Sequence, residues 1–185
     1  MSGDLASVVK ELETIAVDAE RVFGKLSADQ LNWKPSAERW SVGQCFDHLI
    51  TTNRSYLPAI DSVIAGQKQS SVWQKLPVLP GLWGKLLIKA LDPASTRKVK
   101  APKKFAPAQS DISGSIIHDF VDQQVTIAEK IQATANLHPE RIVITSPAAA
   151  VVTYSLMDAY RIIAVHERRH LQQAQRVTEE SGFPA

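Results

Sequence analysis

The stretch "SLMDAYRIIAVHERRHLQQAQRV", residues 155–177, decides the fold class because its apolar residues recur at helical spacing. The positions that advance in alternating steps of three and four are Leu156, Ala159, Ile163, His166, His170, Gln173 and Val177. This spacing predicts an amphipathic helix that opens at Ser155 with Asp158 and runs to about Glu180. Two histidines therefore lie on the face that the helix buries.

Three earlier segments show the same helical periodicity. Helix one is predicted over residues 4–26. Helix two starts at a capping box at Ser41 and stops near Gly66, and helix three starts near Asp111 or Ser113. Four long amphipathic helices predict an all-α protein whose helices bury their apolar faces against one another as a four-helix bundle.

The segment between helices two and three, residues 67–110, is interrupted by prolines in "LPVLPG", "LDPAS" and "KAPKKFAP". Proline removes a backbone donor and breaks helices, so at most a short helix near Leu82–Leu91 fits here. A structureless connection of this length is unusual, so we expect a packed crossover connection between helices two and three. A brief extended segment is expected at "RIVIT", residues 141–145. The length predicts one domain over residues 1–185.

Composition excludes several classes of protein. The formal net charge of +2 is too small to imply a polyanionic partner, and the single cysteine, Cys45, rules out an intrachain disulfide. The basic run "STRKVKAPKKF" is better explained as a solvated loop than as a nucleic-acid surface, although it could attract an anionic cosubstrate. No signal peptide or membrane-spanning stretch is recognisable, so we expect a cytoplasmic protein without nucleic-acid or membrane partners.

The pair His166 and His170 has two interpretations. Residues four apart share one face of a helix, so both imidazoles can reach one ion; alternatively, both are hydrogen-bonded core residues. Two such rings on one seam favour the metal. "HERRH" also matches the zinc-peptidase motif His-Glu-x-x-His. That class needs a third protein ligand downstream, either six residues after the second histidine or on a later helix, and the residue six positions after His170 is an arginine, Arg176. Glu179 lies roughly 13 Å further along the same helix, which argues against a peptidase.

A third nitrogen ligand has to come from upstream in the chain. His48 is the best candidate because it lies at the edge of the apolar face of helix two. His118 resembles a solvated surface residue, and His138 precedes a proline in a loop. Cys45, one turn from His48, is more simply a small buried hydrophobe than a thiolate ligand.

Two sequence motifs, one around His48 and one around His166 and His170, resemble those of the DinB-like superfamily, which includes YfiT-type proteins. "NWKPSAERWSVGQCFDHLITTN" is similar to the second-helix signature of that superfamily, "HERRHLQQAQRV" to its last-helix motif, and "VKAPKKFAP" to part of its middle connection. The resemblance implies a four-helix bundle and a divalent ion held by three histidines, His48, His166 and His170. It further implies a thiol-dependent transferase or a metal-dependent hydrolase.

Three neutral imidazoles leave a coordination position open, and nitrogen ligation suits zinc or nickel first. We therefore expect a metal-dependent enzyme of small molecules, with a low-molecular-weight thiol as a possible cosubstrate. The alternatives are a non-catalytic metal-binding or stress-related bundle and a bundle without metal. Glu167 is either a general base or a structural residue. Gln173 is either a hydrogen-bonding partner of His170 or a solvated residue. Trp40 and Tyr56 either line a pocket or pack in the core. A two-fold homodimer is expected.

Overall fold

The computed structural model describes residues 3–67, 79–92, 102–108 and 111–185. Arg97, Lys98 and Lys100 of the basic run lie outside these ranges. Four long helical stretches pack around one core, as predicted, and no helix of the described ranges has the length and apolarity needed to cross a membrane. The helices are α1 Gly3–Phe23, α2 Ala28–Asn32, α3 Val42–Arg54, α4 Leu57–Ile64, α5 Leu79–Leu91, α6 Ile116–Ala133 and α7 Leu156–Thr178.

Ion pairs show that α1 and α7 run in the same direction. Arg161 of α7 contacts Asp4 at 2.9 Å, and Arg168, two turns later, contacts Glu11 at 2.5 Å. Both partners advance by seven residues, which is the relation expected of two parallel helices. The first and last helices of the chain are therefore neighbours with a common direction.

The helices α3 and α6 also run in a common direction. Asn53 donates to Gln123 at 3.0 Å, and in the continuation of α3 the side chain of Asp61 pairs with Lys130. The chain must therefore return along the bundle between α4 and α6. The returning segment contains α5, which packs on α7, and a short 3-10 helix, Lys103–Phe105.

The boundaries differ from the predicted ones where local chemistry interrupts a periodic run. The second predicted helix is divided into α3 and α4, because Pro58 cannot donate to the carbonyl of Arg54 and would crowd it in a continuous helix. The first ends at Phe23 rather than residue 26. A separate capping box at Ser27 then starts a further short helix, α2, that was not predicted.

The extended segment predicted at residues 141–145 is a strand, β1 Val143–Thr145, paired antiparallel with β2 Thr153–Ser155. Ile144 lies opposite Tyr154, and both side chains are fully buried. Ser155 ends the second strand and caps α7 by accepting from the backbone N–H of Asp158 at 3.0 Å. This hairpin therefore sets where the histidine-bearing helix begins.

Candidate metal centre

Three histidines from two helices converge in the interior of the bundle. His48 of α3 and His166 and His170 of α7 are 3%, 9% and 9% exposed, and one nitrogen of each ring lies within 4.8 Å of the others. The ring centroids are 4.6 to 5.1 Å apart. A buried capping box at Ser41 and Gln44 starts α3 and so places His48 two turns into that helix.

The orientation of His48 is set by the end of the crossover. Nδ1 of His48 lies 2.6 Å from the backbone oxygen of Phe105, which can only accept, so Nδ1 carries the proton. In the neutral ring, Nε2 therefore presents its lone pair toward the other two histidines. The same segment is held to α3 by Gln44, which donates to the carbonyl of Ala108, and by Asp47, which accepts from its N–H. Such an outer hydrogen bond is what normally orients a metal-binding imidazole.

Burial keeps the three rings neutral. It lowers the pKa of His166 to about 3 and lowers the pKa of His48, although the Phe105 carbonyl and Asp47 partly oppose the shift at His48. The pKa of His170 lies well below its usual value, first because of burial and then because of the neighbouring histidines. Neutral imidazole is the form that binds metals, so the cluster needs no deprotonation near neutral pH.

The spacing of the ring nitrogens fits a divalent ion. Nε2 of His48 and Nε2 of His166 are 3.2 Å apart, whereas two nitrogens bound to one tetrahedral zinc ion at about 2.0–2.1 Å are about 3.3 Å apart. Nδ1 of His170 is buried without a hydrogen-bond partner, a state that buried polar atoms rarely show. Among the His, Cys, Asp and Glu side chains of the described ranges, no fourth ligand atom joins the group. The set thus resembles a three-ligand site with an open position.

One flank of the cluster is covered by Trp40, the residue that precedes the Ser41 cap. The indole is half-buried, stacks on His170 with centroids 5.6 Å apart and an interplanar angle of 18°, and lies 5.0 Å from the ring of His48. Of Trp40 and Tyr56, the two aromatic residues that could line a pocket, Trp40 therefore borders the histidines. Tyr56 is instead buried and accepts a hydrogen bond from Tyr154 at 3.1 Å.

Glu167 is engaged elsewhere than at the histidines. Its Oε1 accepts from Asn53 at 2.7 Å and from Gln124 at 3.0 Å, and burial raises the pKa of this fully buried carboxyl to about 8. The structural role is thus the better description. Gln173 is half-buried beside His170, and its side-chain hydrogen bond to that imidazole opposes the lowering of the His170 pKa, while Nδ1 of the ring is left without a partner.

The remaining candidate residues lie outside the cluster. His118 and His138 have side chains that are 73% and 70% exposed, near Asp122 and Glu140 respectively. Cys45 is buried in the core, and burial raises the pKa of its thiol to about 12, which disfavours a thiolate ligand.

The family of this chain follows from a family model that matches most of its sequence. The family model of the DinB superfamily matches residues 11–174, which include all three histidines. The chain belongs to the DinB superfamily. The resemblance read from the sequence is therefore confirmed.

Two proteins of Bacillus subtilis are similar to this DinB superfamily chain, one in sequence and one in fold. It is 32% identical over 158 residues to the uncharacterized protein YuaE of strain 168, an alignment that covers 84% of this chain and 87% of YuaE. The fold matches that of YfiT, described as a probable metal-dependent hydrolase with an unusual four-helix bundle topology. That match has a TM-score of 0.56, covers 100% of this chain and 91% of YfiT, and retains only 10% identity.

Proposed function

We propose that this protein is a metal-dependent enzyme of small molecules that transfers a thiol or hydrolyses its substrate at the His48–His166–His170 centre. The observation that carries the proposal is the convergence of three buried, neutral imidazoles without a fourth ligand in the described ranges. YfiT supports the hydrolase branch through its description, and the family resemblance supports the thiol-transferase branch. When bound, a divalent ion supplies Lewis acidity that lowers the pKa of a water or thiol ligand.

The residues of this chain would contribute orientation and exclusion of water. The Phe105 carbonyl holds the proton of His48 on Nδ1 and keeps Nε2 free for the ion, while His166 and His170 complete the set from α7. Trp40 covers one flank of the rings and limits the approach of water from that side. Zinc and nickel both suit three imidazoles.

Metal binding is tested first. The wild-type protein, loaded with zinc or nickel and then dialysed, should retain close to one ion per chain, and His48→Ala and His166→Ala should each lose most of it. His118→Ala is the matched control, because it removes an exposed imidazole from the same protein. Equal retention by wild type and both cluster variants would contradict the site.

Catalysis is tested with the loaded protein on two substrate panels. Conjugation of small electrophiles is followed with a panel of low-molecular-weight thiols, and ester and amide cleavage is followed without thiol. Turnover that requires thiol supports the transferase branch, and turnover without thiol supports the hydrolase branch. No metal-dependent turnover on either panel would favour the rival function, a non-catalytic metal-binding bundle. The expected homodimer is a separate proposal, for which light scattering should give twice the mass of 20.3 kDa.

A further inference from the structure

A second polar cluster lies inside the bundle next to the histidines. Its members come from three helices and are all buried: Asn53 of α3, Gln123 and Gln124 of α6, and Glu167 of α7. Asn53 donates through Nδ2 to Glu167 and to Gln123, and Gln123 donates through Nε2 to the backbone oxygen of Ile50. Buried polar groups in such a network hold their helices in one arrangement, because any slippage leaves them without partners.

Oε1 of Glu167 is the point at which the three helices meet. It accepts one hydrogen bond from α3 and one from α6, at 2.7 and 3.0 Å. Glu167 directly follows His166, and Asn53 lies five residues after His48 on the same helix. At 1.5 Å of rise per residue, the link between Asn53 and Glu167 lies within about 8 Å of both histidines along their helices. Any shift of α7 that separates Nε2 of His166 from Nε2 of His48 must also disturb the hydrogen bond between Asn53 and Glu167.

We propose that Glu167 is a positioning residue, whose hydrogen bonds to Asn53 and Gln124 hold α7 at the height and rotation that bring His166 against His48. Sliding α7 by one residue would move its ligands by about 1.5 Å and rotate them by about 100°, which is far beyond the tolerance of a metal site. This inference rests on the proposed function, because holding the two histidines together serves metal binding. The positioning of the two rings by Glu167 can nevertheless be measured in the metal-free protein.

The test compares Glu167→Ala with Glu167→Gln in the metal-free protein. Nitrogen-proton NMR of the imidazoles should show shifted ring signals for His48 and His166 in Glu167→Ala, whereas Glu167→Gln, which keeps an acceptor oxygen, should retain the wild-type signals. Zinc affinity measured by competition with a chelator should fall at least about tenfold in Glu167→Ala and stay within about threefold of wild type in Glu167→Gln.

Tyr160→Phe is the matched control. Tyr160 also lies on α7 and is hydrogen-bonded within the core to Thr134, the C-cap residue of α6, at 2.9 Å, so loss of this bond should lower the stability comparably without moving the imidazole signals. The proposal is overturned if Glu167→Ala behaves like Tyr160→Phe, or if Glu167→Gln loses as much affinity as Glu167→Ala. Should Glu167→Ala not fold, Asn53→Leu must give the same pattern, because it removes the hydrogen bonds that α3 donates to Glu167 and Gln123 and leaves the bond from Gln124 to Glu167 in place. A wild-type protein that binds no metal would refute the proposed function, while the metal-free ring signals would still decide the positioning role.

Discussion

The response of His166 to acid tests how well the histidine cluster is shielded from water. Burial lowers the pKa of this imidazole to about 3 in the folded protein, whereas its ordinary value is 6.5. Below pH 6.5 the unfolded chain therefore binds a proton that the folded chain does not bind. The stability that depends on the neutral ring is complete above pH 6.5 and is lost as the pH falls toward 3.

The magnitude follows from this difference. One pKa unit corresponds to about 1.4 kcal/mol, so the linkage of one such group removes about 1.4 kcal/mol between pH 7.5 and 5.5 and about 2.7 kcal/mol by pH 4.5. The variant His166→Gln cannot take up this proton. The free energy of unfolding of wild type minus that of His166→Gln should therefore fall by these amounts as the pH is lowered.

Urea unfolding followed by circular dichroism, in the presence of a chelator, measures this difference at each pH. Glu167 titrates in both proteins, and its contribution largely cancels in the comparison. His170→Gln should show a difference of the same sign, because burial lowers the pKa of His170 as well. A wild-type minus variant difference that stays constant from pH 7.5 to 4.5 would refute the reasoning, since it would mean that His166 is protonated as easily in the folded chain as in the unfolded one.

Other perturbations have equally definite outcomes. Gly84→Ala should lower the melting temperature, since a Cβ at this position of α5 would lie 2.5 Å from Oδ2 of Asp158; overpacking of this kind typically costs about 1–3 kcal/mol, and an unchanged melting temperature would contradict the close packing of α5 on α7. Arg168→Met should lower the free energy of unfolding by about 1 kcal/mol or less, because its ion pairs with Glu11 and Asp18 are partly exposed; zinc affinity should not change, and a large loss of affinity would be inconsistent with this assignment. Zinc at about 100 times its dissociation constant should stabilise the wild-type protein by about 2.7 kcal/mol in thermal unfolding, and a chelator should reverse the gain; a melting temperature indifferent to zinc would argue against the site.

The helices were predictable because hydrophobic periodicity reports which face of a segment is buried. The same periodicity placed His166 and His170 on an inward face, and the family resemblance and the position on helix two both selected His48. The structure brings these three side chains together; their role as metal ligands remains a prediction. The break between α3 and α4 was missed because the apolar spacing continues through Pro58, and the missing donor of that proline outweighed the periodicity.

The contacts around the site could not be read from spacing. The Phe105 carbonyl lies 57 residues from His48, and a backbone oxygen carries no signature in the sequence. The sequence leaves Glu167 as either a base or a structural residue, and periodicity does not reveal that Asn53 and Gln124 face Glu167 from two other helices. A helical period gives the buried face of each helix; the relative height and rotation of two helices are decided only by the packed core.

The division of the three histidines between α3 and α7 has a consequence for biosynthesis. A nascent chain that has been translated through α6 contains His48 but neither His166 nor His170. The cluster can form only after α7 has been made and has docked in parallel beside α1 and against α3. Fragments that lack α7 should therefore fail to bind the proposed ion, whereas molecules that contain α7 should bind it.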